Sequence, residues 1–425
     1  MPDFSSKKRF LDAINHRQPD RVPVDFGAHG CSAMHVTCVA ALRDYYGLEK
    51  RLVKVSDIFS MTGEIEEDLL SVMGVDVQGM RSYNTTYAGL SGYAGGWKPW
   101  RVHDRYEVLV PESFNVTDDG KGGYFAYPKG DITASASGHM PKDGFYFDVI
   151  VRQGPYDEDN PNIEDNLEEY GPLSDSALGF LATEAARAAS GGRGIIASTP
   201  GTGLGDIAWL PGPNLLHPKG IRNIEDWYMS PALRPDFMIE LFDRQADIAI
   251  ANMEKFLKAV GDNMDAALVC GTDFGTQRGP FISEKDFRKV YLPAYRRIND
   301  WIHGNTPWKT IKHCCGGIVP LLPAFIDAGF DGINPVQCSA AGMDPAFLKR
   351  EFGKDLIFWG GGVDTQRALP FGTPAEVRAQ VLERCEVFAP GGGFIFNAIH
   401  CVQCNTPVEN IVAMIDAVKE FNGVS

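Results

Sequence analysis

The run Lys309-Thr310-Ile311-Lys312-His313-Cys314-Cys315-Gly316-Gly317 carries β-prone residues into a glycine pair. That order predicts a short buried strand ending in a tight turn. Side chains alternate along a strand, so His313 and Cys315 share one face while Cys314 points the other way. An imidazole and a thiol together at a strand end are two ready ligands for a borderline-soft metal such as Zn²⁺. A second patch, Ile399-His400-Cys401-Val402-Gln403-Cys404, offers a third. The plainer reading of the same residues is a core cysteine beside a hydrogen-bonded histidine.

On both sides of this strand the chain alternates helix, strand and glycine-containing loop. Candidate strands start at Val22, Asp76, Ile195, Ala267, Thr310, Gly332, Leu356 and Phe394, eight in all. Capping signals precede the helices between them, as in Thr373-Pro374-Ala375-Glu376 and again in Thr406-Pro407-Val408-Glu409. Repeated units of this kind favour a parallel sheet, either a closed (β/α)8 TIM-like barrel or an open doubly wound sheet. Eight strands favour the barrel. In a barrel the chemistry gathers at the C-terminal strand ends. Asp25 and His29, Asp273 and Gln277, His313 and Cys315, Gln337, Asp364 and His400 all stand there.

From about residue 95 to 155 the pattern changes. Trp97, Tyr106, Tyr124, Phe125 and Tyr127 alternate with turn residues, which reads as an inserted antiparallel β meander. Residues 1–425 thus read as one barrel domain with a β subdomain inserted at about 95–155, whose aromatic side chains dock a partner or cover the mouth. That meander reads as too distant from the motifs for a chemical role. The acid run Glu64, Glu66, Glu67 and Asp68 reads as the solvated face of a helix over 63–73.

Composition narrows the partners. A net charge of −15 argues against nucleic acid and anionic membrane. Neither an apolar signal region at Met1 to Arg9 nor a long apolar run appears. Nine cysteines, an odd number with two adjacent, do not resemble a disulfide framework, so a reducing cytoplasm is the expected setting.

The motifs Arg17-Gln18-Pro19-Asp20-Arg21-Val22-Pro23, His313-Cys314-Cys315-Gly316 and Gly361-Gly362-Val363-Asp364 carry a resemblance to the uroporphyrinogen decarboxylase superfamily, as does His400 six residues before Thr406-Pro407-Val408-Glu409-Asn410. The resemblance implies a distorted (β/α)8 barrel with its site at the mouth. True decarboxylases of that superfamily carry an Arg-Gln-Ala-Gly-Arg type of segment after the first strand to hold substrate carboxylates. Here that place reads Phe26-Gly27-Ala28-His29-Gly30-Cys31. The other branch, corrinoid-dependent methyltransferases similar to the methylcobamide:coenzyme M enzymes, binds zinc through His-x-Cys and a cysteine of the last strand. His313-x-Cys315 matches the first pair, and the third position falls on His400, with Cys401 and Cys404 nearby.

What the resemblance implies is a methyltransferase working between a corrinoid (cobalamin) carried by a partner protein and a small acceptor such as a thiol or tetrahydrofolate. His313, Cys315 and His400 would hold Zn²⁺. Asp273, Gln277 and Asp364 would act in catalysis by orienting substrate, and Gln337 and Asp25 would contact the cofactor. A homodimer is left open. The alternatives are a corrinoid-independent decarboxylase or lyase acting on a small carboxylate, and a non-catalytic binding subunit. On the residues alone, Asp364 equally reads as a cap of its own loop, Asp25 as a loop cap, and Cys401-x-x-Cys404 as a redox pair.

Overall fold

The computed structural model of the chain describes residues 5–84 and 89–424. Seven parallel strands lie side by side in chain order: Val77–Gly79, Gly194–Ser198, Ala266–Cys270, Lys309–His313, Gly332–Asn334, Ile357–Trp359 and Phe394–Ile395. The sheet curls until its two edges meet at the 23–26 segment. Val24 bridges Phe396 in parallel. Phe396 N donates to Pro23 O at 2.8 Å, Asp25 N donates to Phe396 O at 2.9 Å, and Asp76 N donates to Val24 O at 2.8 Å. The fold is therefore a TIM-like barrel whose eighth strand, expected from Val22, is reduced to a single bridge. Pro23 has no N–H to extend the ladder, and Gly27 turns away at φ +94°.

The barrel interior holds Val77, Ile196, Ala266, Ile311, Ile357, Trp359 and Ile395, and the first helix closes its floor with Phe10, Ala13 and Ile14. That helix, Ser6–Ile14, starts where the Ser5 hydroxyl accepts from Lys8 N, and its buried face follows the helical period. The Phe10 ring meets Trp359 edge-on at 5.5 Å. A Cβ at position 194 would stand 2.1 Å from the Phe10 ring, so only glycine fits there. Arg9 is buried and pairs with Asp20 and Asp76. Asp76 in turn accepts from Val24 N at 3.1 Å, which ties the floor to the seam. With this end sealed, the open mouth is at the C-terminal strand ends.

Around the barrel, helix Pro374–Phe388 opens with the expected capping box between Thr373 and Glu376. The second expected box does not form. Helix Val408–Phe421 begins after Pro407 without a side-chain cap, because the Thr406 hydroxyl donates back to Gln403 O at 2.8 Å. Only part of the acid run is the solvated face expected, since Glu67 alone of its four acids is exposed. The helix begins only at Glu67, and Thr62–Gly63 belongs to a small three-stranded sheet. The Glu64 side chain is 8% exposed and pairs with Arg81 and Lys54, while Asp68 meets Arg43 and Arg51, and Glu67 meets Arg193.

The insertion lies between the Val77–Gly79 and Gly194–Ser198 strands and is two pieces, not one meander. Trp97–Val102 and Tyr106–Pro111 make a hairpin. Val116–Asp118, Tyr124–Ala126, Gly138–Met140 and Asp148–Val149 form a separate antiparallel sheet in consecutive order. No helix among the described residues is long and apolar enough to cross a membrane.

Phe10 is fully buried. Phe10→Ala is expected to lower unfolding free energy by about 3–5 kcal/mol, the usual cost of truncating a core phenylalanine. An unchanged denaturation midpoint would contradict the proposed floor.

Candidate active site

His313 ends its strand at the mouth, 5% exposed, in register with Asn334 of the next strand. Its Nδ1 lies 2.7 Å from Asn334 Oδ1. The Asn334 amide is oriented by its own Nδ2, which donates to Trp359 O at 3.1 Å. Oδ1 is therefore the acceptor, His313 Nδ1 carries the proton, and Nε2 faces the mouth with a free lone pair. Around Nε2 stand Cys315 Sγ at 3.4 Å, Cys31 Sγ at 3.8 Å and Asp273 Oδ1 at 3.8 Å. The His400 ring lies 5.4 Å from that of His313, centre to centre. The ligating atoms of Cys31, His313 and His400 fall within 4.8 Å of one another, as do those of Asp273, His313 and Cys315.

Contacts to backbone N–H groups hold several of the donors. Asp273 Oδ1 accepts from Cys315 N at 2.6 Å, joining two adjacent strand ends. Cys314 points outward, where its Sγ accepts from Phe274 N at 3.2 Å. Lys312 also points outward and is fully buried. Its ammonium donates to Thr272 O and to His313 O (2.7 Å), lies 3.2 Å from Cys270 Sγ, and sits 5.0 Å over the Phe274 ring. One buried cation thus fixes the carbonyls next to Asp273 and at His313.

Cys31 arrives on the loop after the seam. Asp25 Oδ1 accepts from Ala28 N (2.9 Å) and from the Ser32 hydroxyl (3.1 Å), and Oδ2 accepts from Trp359 Nε1 (2.8 Å). His29 Nδ1 accepts from Cys31 N at 3.3 Å. Asp25, expected to contact the cofactor, is instead sealed beneath this loop and holds it. Gln337, expected in the same role, accepts from Gly316 N at 2.6 Å and fixes the turn after Cys315. Asp364 caps its own loop, accepting from Gln366 N (2.7 Å) and Arg367 N (3.2 Å). Gln277 is exposed at the rim, with its amide on Gln366 at 3.2 Å.

Burial disfavours the charged forms of several of the donors. Burial, with Asp273 adding to it, pushes the Cys315 thiol up, and burial does the same to Cys31. Asp206, on the loop after Gly194–Ser198, is raised by burial and by the charge of Asp273. Burial lowers His400 to about 4 and His29 to about 3, with His313 adding to both. A dication would stabilise the thiolates and carboxylates that burial disfavours. Asp206 was not among the expected site residues, and Cys31 was expected only as part of a loop, with His29 and His35, that could wall the site. The only sequence signal for Cys31 was its closeness to His29 after the first strand.

Residues 215–421 match the family described as Uroporphyrinogen decarboxylase (URO-D). That span holds Asp273, His313, Cys315 and His400, and leaves out Asp25 and Cys31. A uroporphyrinogen decarboxylase from Pseudoalteromonas translucida (strain TAC 125) is 26% identical over 179 residues, or 40% of this chain. The match spans about half of that relative, 48% of its length. Among solved structures, a methyltransferase from Methanosarcina mazei has the same fold, with a TM-score of 0.55 at 14% identity over 99% of both chains.

Burial raises the Asp25 carboxyl to about 6 from an ordinary 3.8. Below about pH 4 the folded and unfolded chains both hold this proton. Between about pH 4 and 6 only the folded chain does, so stability falls as pH rises through that window, by about 3 kcal/mol for this group. Urea unfolding of wild type and Asp25→Asn across the window should show the wild type losing that increment relative to the variant. A constant difference between them would refute the assignment.

Proposed function

We propose that this chain, whose residues 215–421 match the uroporphyrinogen decarboxylase family, is a methyltransferase rather than a decarboxylase. It moves a methyl group between a corrinoid carried by a partner protein and a small acceptor such as a thiol or tetrahydrofolate, with zinc at the mouth. One observation carries the reading: His313 Nε2 presents its lone pair to two thiols, a carboxylate and a second imidazole. A mixed nitrogen and sulfur donor set suits zinc. The decarboxylase reading needs basic groups to hold carboxylates. Where the resemblance puts arginines, this chain has the loop that carries Cys31, and Cys31 is directed at His313.

His313, Cys315 and His400 would hold the metal. Cys31, which lies in one group with His313 and His400 while Cys315 lies in another with His313 and Asp273, would stand in for the last-strand cysteine of the zinc methyltransferases. Bound zinc would keep a coordinating thiol deprotonated at neutral pH. Asn334 fixes the His313 tautomer, so the ring offers nitrogen rather than N–H to the site. Asp273, anchored by Cys315 N–H and 3.8 Å from Nε2, is positioned to exchange a proton with the acceptor.

Protein loaded under reducing conditions should retain about one zinc per chain. His313→Ala and Cys315→Ser should lose it, and Asn334→Leu should weaken affinity about 10–100-fold. Wild type without stoichiometric metal would sink the site. Incubation with methylcob(III)alamin and thiol or tetrahydrofolate acceptors, followed by the cobalamin spectrum, tests the transfer itself. Demethylation is expected, and spectra that stay unchanged with every acceptor would overturn the methyl-transfer reading.

A further inference from the structure

Beside His400 lies a cavity of about 350 Å³. Its walls come from two parts of the chain. The barrel side supplies His400, Val402 and Phe59, and the end of the insertion supplies Tyr146 and Phe147, with His35 between them. Backbone contacts hold the two sides together. Cys404 N donates to the Tyr146 hydroxyl at 2.8 Å, Phe147 N donates to Phe59 O at 3.0 Å, and His35 N donates to Val402 O at 2.9 Å.

Three properties of this lining select a ligand. Its size is near the lower end of the roughly 300–1,000 Å³ usual for small-molecule sites, which suits a single ring and excludes a tetrapyrrole. Its lining includes the rings of His35, Phe59, Tyr146, Phe147 and His400, with His35 meeting Tyr146 at 5.4 Å and Phe59 meeting Phe147 at 6.3 Å. Aromatic ligands gain from offset and edge-on packing against such rings. Finally, it holds no Asp, Glu, Lys or Arg among the described residues. His35 is pinned as a neutral ring, its Nδ1 accepting from Thr37 N at 3.2 Å and its Nε2 directed at Phe145 O at 3.3 Å. A charged ligand would lose hydration here without a partner of opposite sign.

We propose that this cavity binds an uncharged, single-ring aromatic compound and presents it to His400, so that the inserted β subdomain sets which small molecule reaches the His313 site. The proposal deepens the methyl-transfer reading and rests on it only for the fate of the ligand. Anionic thiols and the carboxylate-bearing tail of a folate are disfavoured in this cavity by the same lining. The insertion reaches closer to the motifs than its place in the sequence suggests, since its Tyr146 and Phe147 line the same cavity as His400.

The full chain, free of metal and corrinoid, is titrated calorimetrically with phenol, methoxybenzene, benzoate and 2-mercaptoethanesulfonate. Phenol and methoxybenzene should bind at least about tenfold more tightly than the two anions, because the anions find no cationic partner. Ala208 lines the cavity and is half-buried, and it is not among the donors around His313, so Ala208→Trp should fill the cavity without removing a donor. That variant should lose at least about tenfold in affinity for the neutral rings while keeping its thermal midpoint and zinc content. Equal binding of benzoate, binding unaffected by Ala208→Trp, or no binding of any probe overturns the proposal. Ring binding without demethylation of methylcob(III)alamin would leave this inference standing and remove the methyl-transfer reading instead.

Discussion

The seam at residues 23–26 is the constraint on which the site depends. Three backbone hydrogen bonds join the first segment to Phe396 and to Asp76, and with them the sheet becomes a ring. Only in a closed ring do the first loop and the last strand stand across the mouth from the fifth strand of the barrel. Cys31 and His400 reach His313 for that reason, although they are far from it in the chain. The seam is held from below by Asp76, which takes Val24 N on one oxygen and the buried Arg9 on the other. Such a buried pair adds little net stability over apolar packing, but losing one partner leaves an uncompensated charge that costs several kcal/mol. Arg9, Asp20 and Asp76 thus act as a latch that specifies closure.

Above the latch, stability is yielded at the mouth. Two thiols, two carboxylates and two imidazoles are gathered where burial disfavours their charged forms. Local rules are violated here and obeyed in the floor, the distribution expected of a functional site. The protein offsets part of the strain with Lys312, whose ammonium is caged by Phe274, Tyr295 and Phe325 and tied to two strand-end carbonyls. That cation stands behind the strand, so it organises Asp273 and His313 without occupying the mouth.

The strands and the His313-x-Cys315 pair were legible because alternation and glycine turns are local properties of a few residues. The barrel followed from their number. Residues whose roles depend on distant partners were not legible. Asn334 gives no sign in sequence that it fixes the His313 tautomer, and Cys31 depends on ring closure. The acid run looked solvated because Arg43, Arg81 and Arg193, which pair with Asp68, Glu64 and Glu67, are contributed by other elements. Thr406 carried the spacing of a helix cap, yet its hydroxyl turned to Gln403 O, a competition that spacing alone does not decide.

The division of the site between the two halves of the chain has a consequence for how relatives should be compared. The matched span, residues 215–421, contains His313, Cys315, His400 and Asp273, the groups that would hold a metal and move a proton. The residues before it contain Cys31, the Asp25 loop that positions it, and the aromatic walls formed by His35, Phe59, Tyr146 and Phe147. Donor residues therefore come from both stretches, as do the walls of the cavity, and His400 belongs to both sets. A change in the insertion can alter which molecule enters while leaving the donor set intact. A change at Cys31 can alter the donor set while leaving the matched motifs intact. Likeness over residues 215–421 thus covers the histidine pair, Cys315 and Asp273, and leaves out Cys31 and most of the ring walls of the cavity.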